Sequence, residues 1–226
     1  MNLEIKIKKI FKYYGEKAIL KDIDFSINSK EFFVLLGQNG SGKTTLIRIL
    51  LNLIKPSSGE IKIEGNGKNI PGNKIGFLLE DEMPFDYFTP YEYLKFFRNI
   101  YKSKKNVDEV LKEFNLYEEK KTKIFKLSKG MKKKLCIAKA FLTEPLIWIL
   151  DEPFDGVDII MVEEIYKILK KEREEGKIVI IATHHFEFVK NYASHIGILD
   201  RGNFLGKYEV EKIGDSILDF YLEKIK

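Results

Sequence analysis

The sequence predicts an α/β protein whose core is a mostly parallel β-sheet. Short, continuous apolar runs alternate with segments of helical periodicity, two N-terminal stretches alternate apolar and polar residues, and a long helical stretch interrupts the chain. Continuous apolar runs are typical of strands that are buried on both faces of a parallel sheet. We therefore expect a mostly parallel core sheet with an N-terminal antiparallel β part and an inserted helical part.

The N-terminal elements are predicted first. Residues 3–7 and 23–27 alternate apolar and polar side chains, which indicates half-buried, antiparallel strands. Residues 32–36 are apolar throughout and lead directly into a glycine-rich loop. After this loop, apolar residues from Leu46 to Leu53 follow helical spacing. The order is strand, loop and helix.

Further buried strands are predicted at residues 146–150, 178–182 and 196–199. A helix with one apolar face lies between the first two of these strands and ends at Gly176. Buried strands that alternate with helices favour a parallel sheet with covered faces.

The middle of the chain, from about residue 85 to residue 141, is predicted to be helical. Its first helix has a capping box, in which Thr89 is the cap, Pro90 is the first helical residue and Glu92 completes the box. We expect one domain over residues 1–226, with a core lobe of residues 1–84 and 142–226 and a helical lobe of residues 85–141.

Composition is that of a soluble globular protein, with 44% hydrophobic and 32% charged residues among 226. The net charge of +5 identifies no partner. The basic tract between Lys120 and Lys134 is interpreted as a solvated face, and the alternatives are contact with phosphates or with anionic lipid. Cys136 is the only cysteine, so an internal disulfide is excluded and a reducing cytoplasm is expected. No run approaches the roughly 18 consecutive apolar residues of a membrane span, so we expect a chain that is neither exported nor membrane-spanning.

The glycine-rich loop fits the GxxxxGK(S/T) phosphate-binding pattern. Glycines allow backbone N–H groups to surround phosphates, Lys43 adds positive charge, and Thr44 supplies a magnesium ligand. The alternative is a glycine turn that only connects two elements. The loop predicts a site for ATP and Mg²⁺, and the residues expected at the nucleotide are Gly37, Gln38, Asn39, Gly40, Ser41, Gly42, Lys43, Thr44 and Thr45.

Two acidic residues follow the apolar run at residues 146–150. At the carboxyl end of a parallel strand, Asp151 is expected to bind Mg²⁺, usually through water. Glu152 is expected to orient or activate the attacking water in ATP hydrolysis. The alternative for such a pair is an acidic helix N-terminus.

These motifs resemble those of the ATP-binding cassette (ABC) ATPases, in the order of that family and across nearly the whole chain. The resemblance implies a P-loop NTPase fold of ABC type. Residues 127–131, LSKGM, are similar to the family's signature, residues 146–152 to its Walker B motif, and residues 154–158 to its D-loop. The resemblance further implies nucleotide-contacting roles for these residues: Tyr14 at adenine, Ser128 and Gly130 in the signature, Asp158 in the D-loop and His184 as the catalytic switch.

Alternatives remain for several of these assignments. His185 competes with His184, and Tyr13 and Phe11 lie close enough to be mistaken for Tyr14. Taken alone, the LSKGM stretch also fits a serine that caps a lysine-rich helix. A metal site of histidines is not expected, because the three histidines lack a recognised ligand spacing.

Two departures from the family pattern affect the predicted chemistry. Glu80 stands where the family usually has glutamine, and it is expected to contact both the nucleotide and magnesium-bound water. Lys129 replaces a glycine of the signature, and Met131 replaces its glutamine. LSKGM followed by lysines resembles cassettes of bacterial exporters and of multidrug or antibiotic-resistance systems, which favours export over uptake.

The resemblance implies a Mg²⁺-dependent ATPase that powers a transporter. Each ATP would lie between the phosphate loop of one cassette and the signature of a second, in a homodimer or heterodimer. Integral-membrane permease subunits would be separate partners, which implies a cytoplasmic chain that is peripheral on the inner face of the membrane. No nucleic acid partner is expected. The alternatives are a soluble ABC ATPase acting on nucleic acid or the ribosome, and a P-loop kinase or switch.

Overall fold

The computed structural model describes residues 2–187 and 189–226 of the chain. The chain forms two compact units, which are described separately. The first comprises Met1–Gly72 and Lys170–Lys226, and the second comprises Asn73–Leu169. The lobe boundaries predicted from the sequence, with residues 85–141 as a helical lobe, stay a prediction.

The elements follow one another in this order: β1 (Leu3–Tyr14), β2 (Lys17–Asn28), β3 (Phe32–Leu36), α1 (Lys43–Leu50), β4 (Ser58–Gly65), β5 (Lys68–Asn69), a 3₁₀ turn (Gly72–Lys74), β6 (Ile75–Leu78), α2 (Pro90–Tyr101), α3 (Val107–Glu113), a 3₁₀ turn (Ile124–Lys126), α4 (Lys129–Phe141), β7 (Ile147–Asp151), α5 (Ile159–Glu174), β8 (Ile178–Thr183), α6 (Val189–Tyr192), β9 (His195–Asp200), β10 (Asn203–Glu209), a 3₁₀ turn (Val210–Lys212) and α7 (Ile217–Lys224). Among the described residues, no helix combines the length and the apolar character that crossing a membrane requires.

The strands of the first unit hydrogen-bond in the order β5-β4-β1-β2-β10-β9-β3-β8. β1 pairs antiparallel with β2 and β4, whereas β3 lies parallel to both β8 and β9. Every residue of β3 and β8 is buried, as is typical of central strands in a parallel sheet. The antiparallel N-terminal strands and the buried parallel strands that the sequence predicts are therefore confirmed.

Helix α1 is shorter than the periodicity of its apolar residues predicts. It ends at Leu50, and Leu53 lies outside the helix with its N–H donating to the carbonyl of Arg48 at 2.9 Å. Asn52 has a φ of 55°, a left-handed conformation that asparagine tolerates and that stops helix propagation. Leu53 is consequently exposed.

In the second unit, β6 and β7 form a parallel pair in which Leu78 is opposite Leu150. Strand β6 was not predicted from the sequence; it is four residues long and contains a glycine. This glycine is required by packing, since a Cβ at Gly76 would lie 2.9 Å from Cγ of Pro145. The predicted capping box of α2 is confirmed: Glu92 N–H donates to Thr89 Oγ1, and Thr89 N–H donates to Glu92 Oε2.

Helix α4 is buried along most of its length from Lys133 to Phe141. Cys136 lies within this stretch and has no exposed surface. Burial raises the pKa of the Cys136 thiol to about 12. The thiol is therefore protonated at neutral pH, as expected of a small apolar core residue.

Cys136 is predicted to be unreactive in the native chain. A thiol reagent added at pH 8 should modify it far more slowly in buffer than in denaturant, because burial removes both access and thiolate. Raising the pH from 7 to 9 should hardly change the native rate, measured by absorbance or mass spectrometry. A native rate that rises with pH as an exposed cysteine's does, around a pKa of about 8.5, would contradict this.

Candidate functional site

The predicted phosphate loop leaves the middle of the parallel sheet in the first unit. Leu36, the last residue of β3, is paired with Thr183 of β8 on one side and with Ile198 of β9 on the other. The loop begins at the next residue and ends where α1 starts at Lys43. Carboxyl ends of parallel strands and helix N-termini both favour anion binding. The loop thus has the setting that its sequence pattern requires.

Glycines fix the shape of this loop at both ends. A Cβ at Gly37 would lie 2.4 Å from the carbonyl oxygen of Leu199. Gly42 has a φ of 112°, and a Cβ there would lie 2.8 Å from Cδ2 of Leu20. Gly40 also has a positive φ of 80°, but a Cβ there would meet open space. The loop is packed at its ends, while Gln38 to Gly40 are exposed.

Two buried polar groups lie in the loop. Lys43 is 5% exposed, and its Nζ donates to the backbone oxygens of Gly37 at 2.8 Å and Gln38 at 3.4 Å. The Ser41 hydroxyl is buried and has no hydrogen-bond partner among the described residues. Buried polar groups are normally satisfied, so a buried hydroxyl without a partner in the loop that also holds the Lys43 ammonium fits a bound phosphate. Thr44 and Thr45 follow in the first turn of α1 and are partly buried.

The predicted switch histidine belongs to the same edge of the sheet. His184 follows Thr183, the residue paired with Leu36, so it and the loop come from the carboxyl ends of adjacent strands. The ring of His184 lies 4.1 Å, centroid to centroid, from the ring of His185. Both rings are partly buried. The choice of His184 over His185 stays a prediction.

Tyr14 ends β1 and is exposed, as expected of an aromatic that stacks on a ligand. The Nζ of Lys12 lies 5.0 Å from its ring centroid. Tyr13 is also exposed, but its ring stacks on Phe11 at 6.5 Å. The ring of Tyr14 and not that of Tyr13 is therefore the better candidate for adenine.

The second unit holds the predicted acidic residues. Because Leu78 and Leu150 are paired, Asp151 and Glu80 both lie at the carboxyl end of the β6–β7 pair, where Asp151 ends β7 and Glu80 follows β6. Asp151 is fully buried at the last position of β7, while Glu80 is exposed. Carboxylate oxygens at a strand end are ligands that suit Mg²⁺. This donor set fits the predicted ion.

Glu152 has an unusual backbone conformation. Its φ is 44°, which is uncommon for a residue other than glycine, and its side chain is 4% exposed. Such strained positions cluster at functional sites. The geometry agrees with the predicted catalytic role, which stays a prediction.

The signature-like stretch begins α4. Ser128 is the N-cap, and its Oγ accepts from the N–H of Met131 at 3.2 Å. Gly130 is packed so closely that a Cβ would lie 2.5 Å from Sδ of Met161. The alternative of a capping serine is thus realised, and binding of phosphate by Ser128 and Gly130 stays a prediction.

The D-loop-like stretch contacts this helix terminus. Lys129, which replaces a family glycine, pairs through Nζ with Asp155 Oδ2 at 3.0 Å, and both side chains are exposed. Asp158 Oδ1 accepts from the N–H of Met161 at 3.0 Å, so it caps α5. A nucleotide contact of Asp158 stays a prediction.

The sequence-based interpretation of the lysine tract is wrong at two positions. Lys133 and Lys134 are each 3% exposed, not on a solvated face. Lys134 pairs with Glu164 of α5, and Lys133 donates to the backbone oxygen of Glu80. Helical periodicity could have indicated this, since both lysines neighbour the apolar residues of α4 in sequence.

The fold and the phosphate loop define a P-loop nucleotide-binding protein, and comparison with known proteins gives its family. A family model described as "ABC transporter" matches residues 20–155. The chain is 34% identical over 218 residues to an uncharacterized ABC transporter ATP-binding protein of Methanocaldococcus jannaschii, covering 94% of this chain and 80% of that protein. It is 36% identical over 213 residues to a bacitracin transport ATP-binding protein of Bacillus licheniformis, covering 91% and 69%.

A solved structure of an ATP-binding subunit of an ABC transporter superposes with a TM-score of 0.85 at 26% identity, covering 98% of this chain and 99% of that one. The chain therefore belongs to the ABC transporter family and is an ATP-binding subunit of that family. The predicted family and fold class are confirmed.

Gly42→Ala is predicted to damage the phosphate loop, because it combines a positive φ with a close contact. It should lower the free energy of unfolding by about 1–3 kcal/mol and weaken binding of ATP. Gly40→Ala is the matched control, since its φ is also positive but its Cβ meets open space. Denaturant unfolding and nucleotide titration measure both effects. Equal losses in the two variants would contradict the packing argument.

Proposed function

We propose that this chain hydrolyses ATP with Mg²⁺ as one of two paired cassettes, and that this drives export through separate membrane subunits. The observation that carries the proposal is the phosphate loop, where the buried Ser41 hydroxyl and the Lys43 ammonium lie at a helix N-terminus. Membership of the ABC transporter family supports hydrolysis and transport, since a subunit that binds ATP for transport must use the nucleotide to perform work.

Nucleotide binding is assigned to the first unit. The backbone N–H groups of the loop and Lys43 would bind phosphate oxygens, with Tyr14 against the adenine. In the structure, Lys43 donates to carbonyls of its own loop. These bonds already hold the ammonium group in the loop. Phosphate is a stronger acceptor than a carbonyl, so it can replace these partners with little further ordering of the Lys43 side chain. Thr44 is the residue of this unit that is proposed for Mg²⁺, which would neutralise phosphate charge. The carboxylates proposed as Mg²⁺ ligands, Asp151 and Glu80, belong to the second unit.

Hydrolysis is assigned to Glu152 and His184. The buried carboxylate of Glu152 would orient and accept a proton from the attacking water. His184 would donate a hydrogen bond to the terminal phosphate. Ser128 and the N–H of Gly130, at the N-terminus of α4, would bind that phosphate from a second chain. Ser128 is exposed, so its hydroxyl is accessible to a partner.

Glu152→Gln is predicted to separate binding from hydrolysis. The amide preserves the size of the side chain but cannot accept the proton, so ATP binding should persist while turnover falls by about 10²-fold or more. A stable ATP-bound dimer should then be visible by sedimentation or gel filtration.

Ser128→Arg in the same background is the control, because it blocks the partner's phosphate while leaving the phosphate loop of its own chain intact. That double variant should bind ATP as a monomer. Hydrolysis by Glu152→Gln at the unmodified rate would show that Glu152 is not the base. A dimer that survives Ser128→Arg would exclude the site between chains.

An exposed apolar surface in the second unit is the proposed contact for a membrane subunit. Met83, Phe85 and Tyr87 lie between β6 and α2, and Tyr87 is 83% exposed. The ring of Phe85 packs edge-on against Phe96 of α2 at 6.0 Å, and Phe96 is exposed as well. A clustered, exposed apolar patch is typical of an interaction site.

Tyr87→Ala is predicted to reduce recovery of integral-membrane protein with the tagged chain while leaving ATP hydrolysis by the isolated chain unchanged. Leu53→Ala removes an exposed apolar side chain of the first unit and is the matched control. Purification from detergent-solubilised cells, quantified by mass spectrometry, makes the comparison. Equal recovery of membrane protein with the two variants would exclude this surface.

The export direction rests on the LSKGM stretch and on the name of the bacitracin transport relative. Both are analogies to other proteins. Uptake of a labelled compound into inside-out vesicles that contain the complex would support export, since the cassette side of the membrane then faces outward.

A further inference from the structure

The residues that follow β6 are held against α4. Residues 79–82, here called the Glu80 segment, connect the end of β6 to the exposed surface at Met83. The ammonium of Lys133 donates to the backbone oxygen of Glu80 at 2.7 Å. Lys133 is 3% exposed, so its ammonium group is shielded from water, although Glu80 itself is exposed. Hydrogen bonds that involve a charged group are among the stronger ones in proteins.

Two further residues of α4 contact the same segment. The Cys136 thiol donates toward the backbone oxygen of Glu82 at 3.8 Å, and the ammonium of Lys139 forms an ion pair with Glu82 Oε1. Lys133, Cys136 and Lys139 are spaced three residues apart, so they follow one ridge of the helix. The Glu80 segment therefore lies along α4 and is bound at successive points.

The ion pair between Lys139 and Glu82 is buried on its lysine side. The Lys139 side chain is 6% exposed and that of Glu82 19% exposed. The ammonium also lies 5.3 Å from the ring centroid of Phe77 and 5.5 Å from that of Phe97. A charge that is buried among aromatic rings is strongly unfavourable when it is left unpaired. The pair therefore strongly favours the observed position of the segment.

We infer that Lys133 and the Lys139–Glu82 ion pair are positioning residues, which fix Glu80 to the signature helix so that the two respond to nucleotide as one body. The inference rests on the proposed function, because it takes the roles of Glu80 and Ser128 from there. A helix transmits a displacement along its axis with little deformation, and Ser128 is the N-cap of the helix that carries both lysines. Lys133 and Lys139 act through the Glu80 segment, which they hold at Glu80 and at Glu82.

If Lys133 and Lys139 had only a structural role, their contacts would be equivalent to other buried ion pairs of α4. Lys134 supplies the comparison, since it lies on the same helix and pairs with Glu164 of α5 at 2.8 Å. Its side chain is 4% exposed, which matches that of Lys139. Lys134 contacts α5, whereas Lys139 contacts the Glu80 segment.

The test compares Glu82→Gln and Lys139→Met with the controls Glu164→Gln and Lys134→Met. For each chain, kcat, the KM for ATP and the Mg²⁺ concentration that gives half-maximal hydrolysis are measured. Loss of a residue that orients a ligand reduces activity or metal affinity by about 10–100-fold. Glu82→Gln and Lys139→Met should lower kcat and raise the Mg²⁺ requirement in that range, with the KM for ATP little changed. Lys139→Arg should restore both values, because it keeps the charge.

Amide hydrogen exchange provides a readout that does not depend on hydrolysis. Exchange of residues 79–83 should become faster in Glu82→Gln and Lys139→Met, and should be unchanged in Glu164→Gln. Lys139→Met can destabilise the whole chain, but Glu82→Gln preserves shape and keeps the comparison valid. If the wild-type chain lacks Mg²⁺-dependent hydrolysis, the proposed function fails, and the exchange data still decide whether the contacts hold the segment.

The inference is overturned if Glu82→Gln leaves both exchange and Mg²⁺ requirement at wild-type values. It is also overturned if the Lys134 and Glu164 variants raise the Mg²⁺ requirement as much as the Glu82 and Lys139 variants do. In that case the ion pairs stabilise the second unit generally, and Glu80 is positioned by its own strand.

Discussion

The parallel pairing of β3 with β8 and β9 is the constraint on which the first unit depends. Since every residue of β3 is buried, its backbone hydrogen bonds must be satisfied by neighbouring strands on both sides. This pairing fixes where the chain emerges, and the packing of Gly37 against the carbonyl of Leu199 fixes how it turns. The position of the phosphate loop therefore depends on the register of the sheet as much as on the glycines of the loop. A shift of register would move the loop away from His184.

Helix α4 has the corresponding role in the second unit. It carries the predicted signature at its N-terminus and contacts α5 through Lys134 and the Glu80 segment through Lys133 and Lys139. Burying three ammonium groups in one helix is costly unless each has a partner. Each lysine has one, so the helix, the Glu80 segment and α5 are specified together. Lys129 adds an exposed ion pair with Asp155, which contributes about 0–1 kcal/mol to stability. Another anion can therefore easily replace Asp155 as the partner of Lys129.

Much of this could be predicted from the sequence because local patterns determine it. The buried strands, the phosphate loop and the capping box of α2 each follow from a short stretch of residues, and so does the order of motifs that indicates the family. The early end of α1 depends on the left-handed Asn52, and β6 is too short for its pattern to be recognised. The partner of Lys133 could not be predicted, since it is a backbone oxygen 53 residues away. Pairings of this kind depend on tertiary packing, which composition and periodicity do not encode.

The central claim is that ATP is hydrolysed at a site shared by two chains, with the phosphate loop from one and Ser128 from the other. A mixing experiment tests it directly. A Lys43→Ala chain has a defective loop and an intact signature, whereas a Ser128→Arg chain has the reverse, so each should be inactive alone. If the site is shared, mixing the two restores Mg²⁺-dependent hydrolysis, because mixed dimers contain one complete site. Activity that stays at the sum of the two separate chains across all mixing ratios would contradict the account.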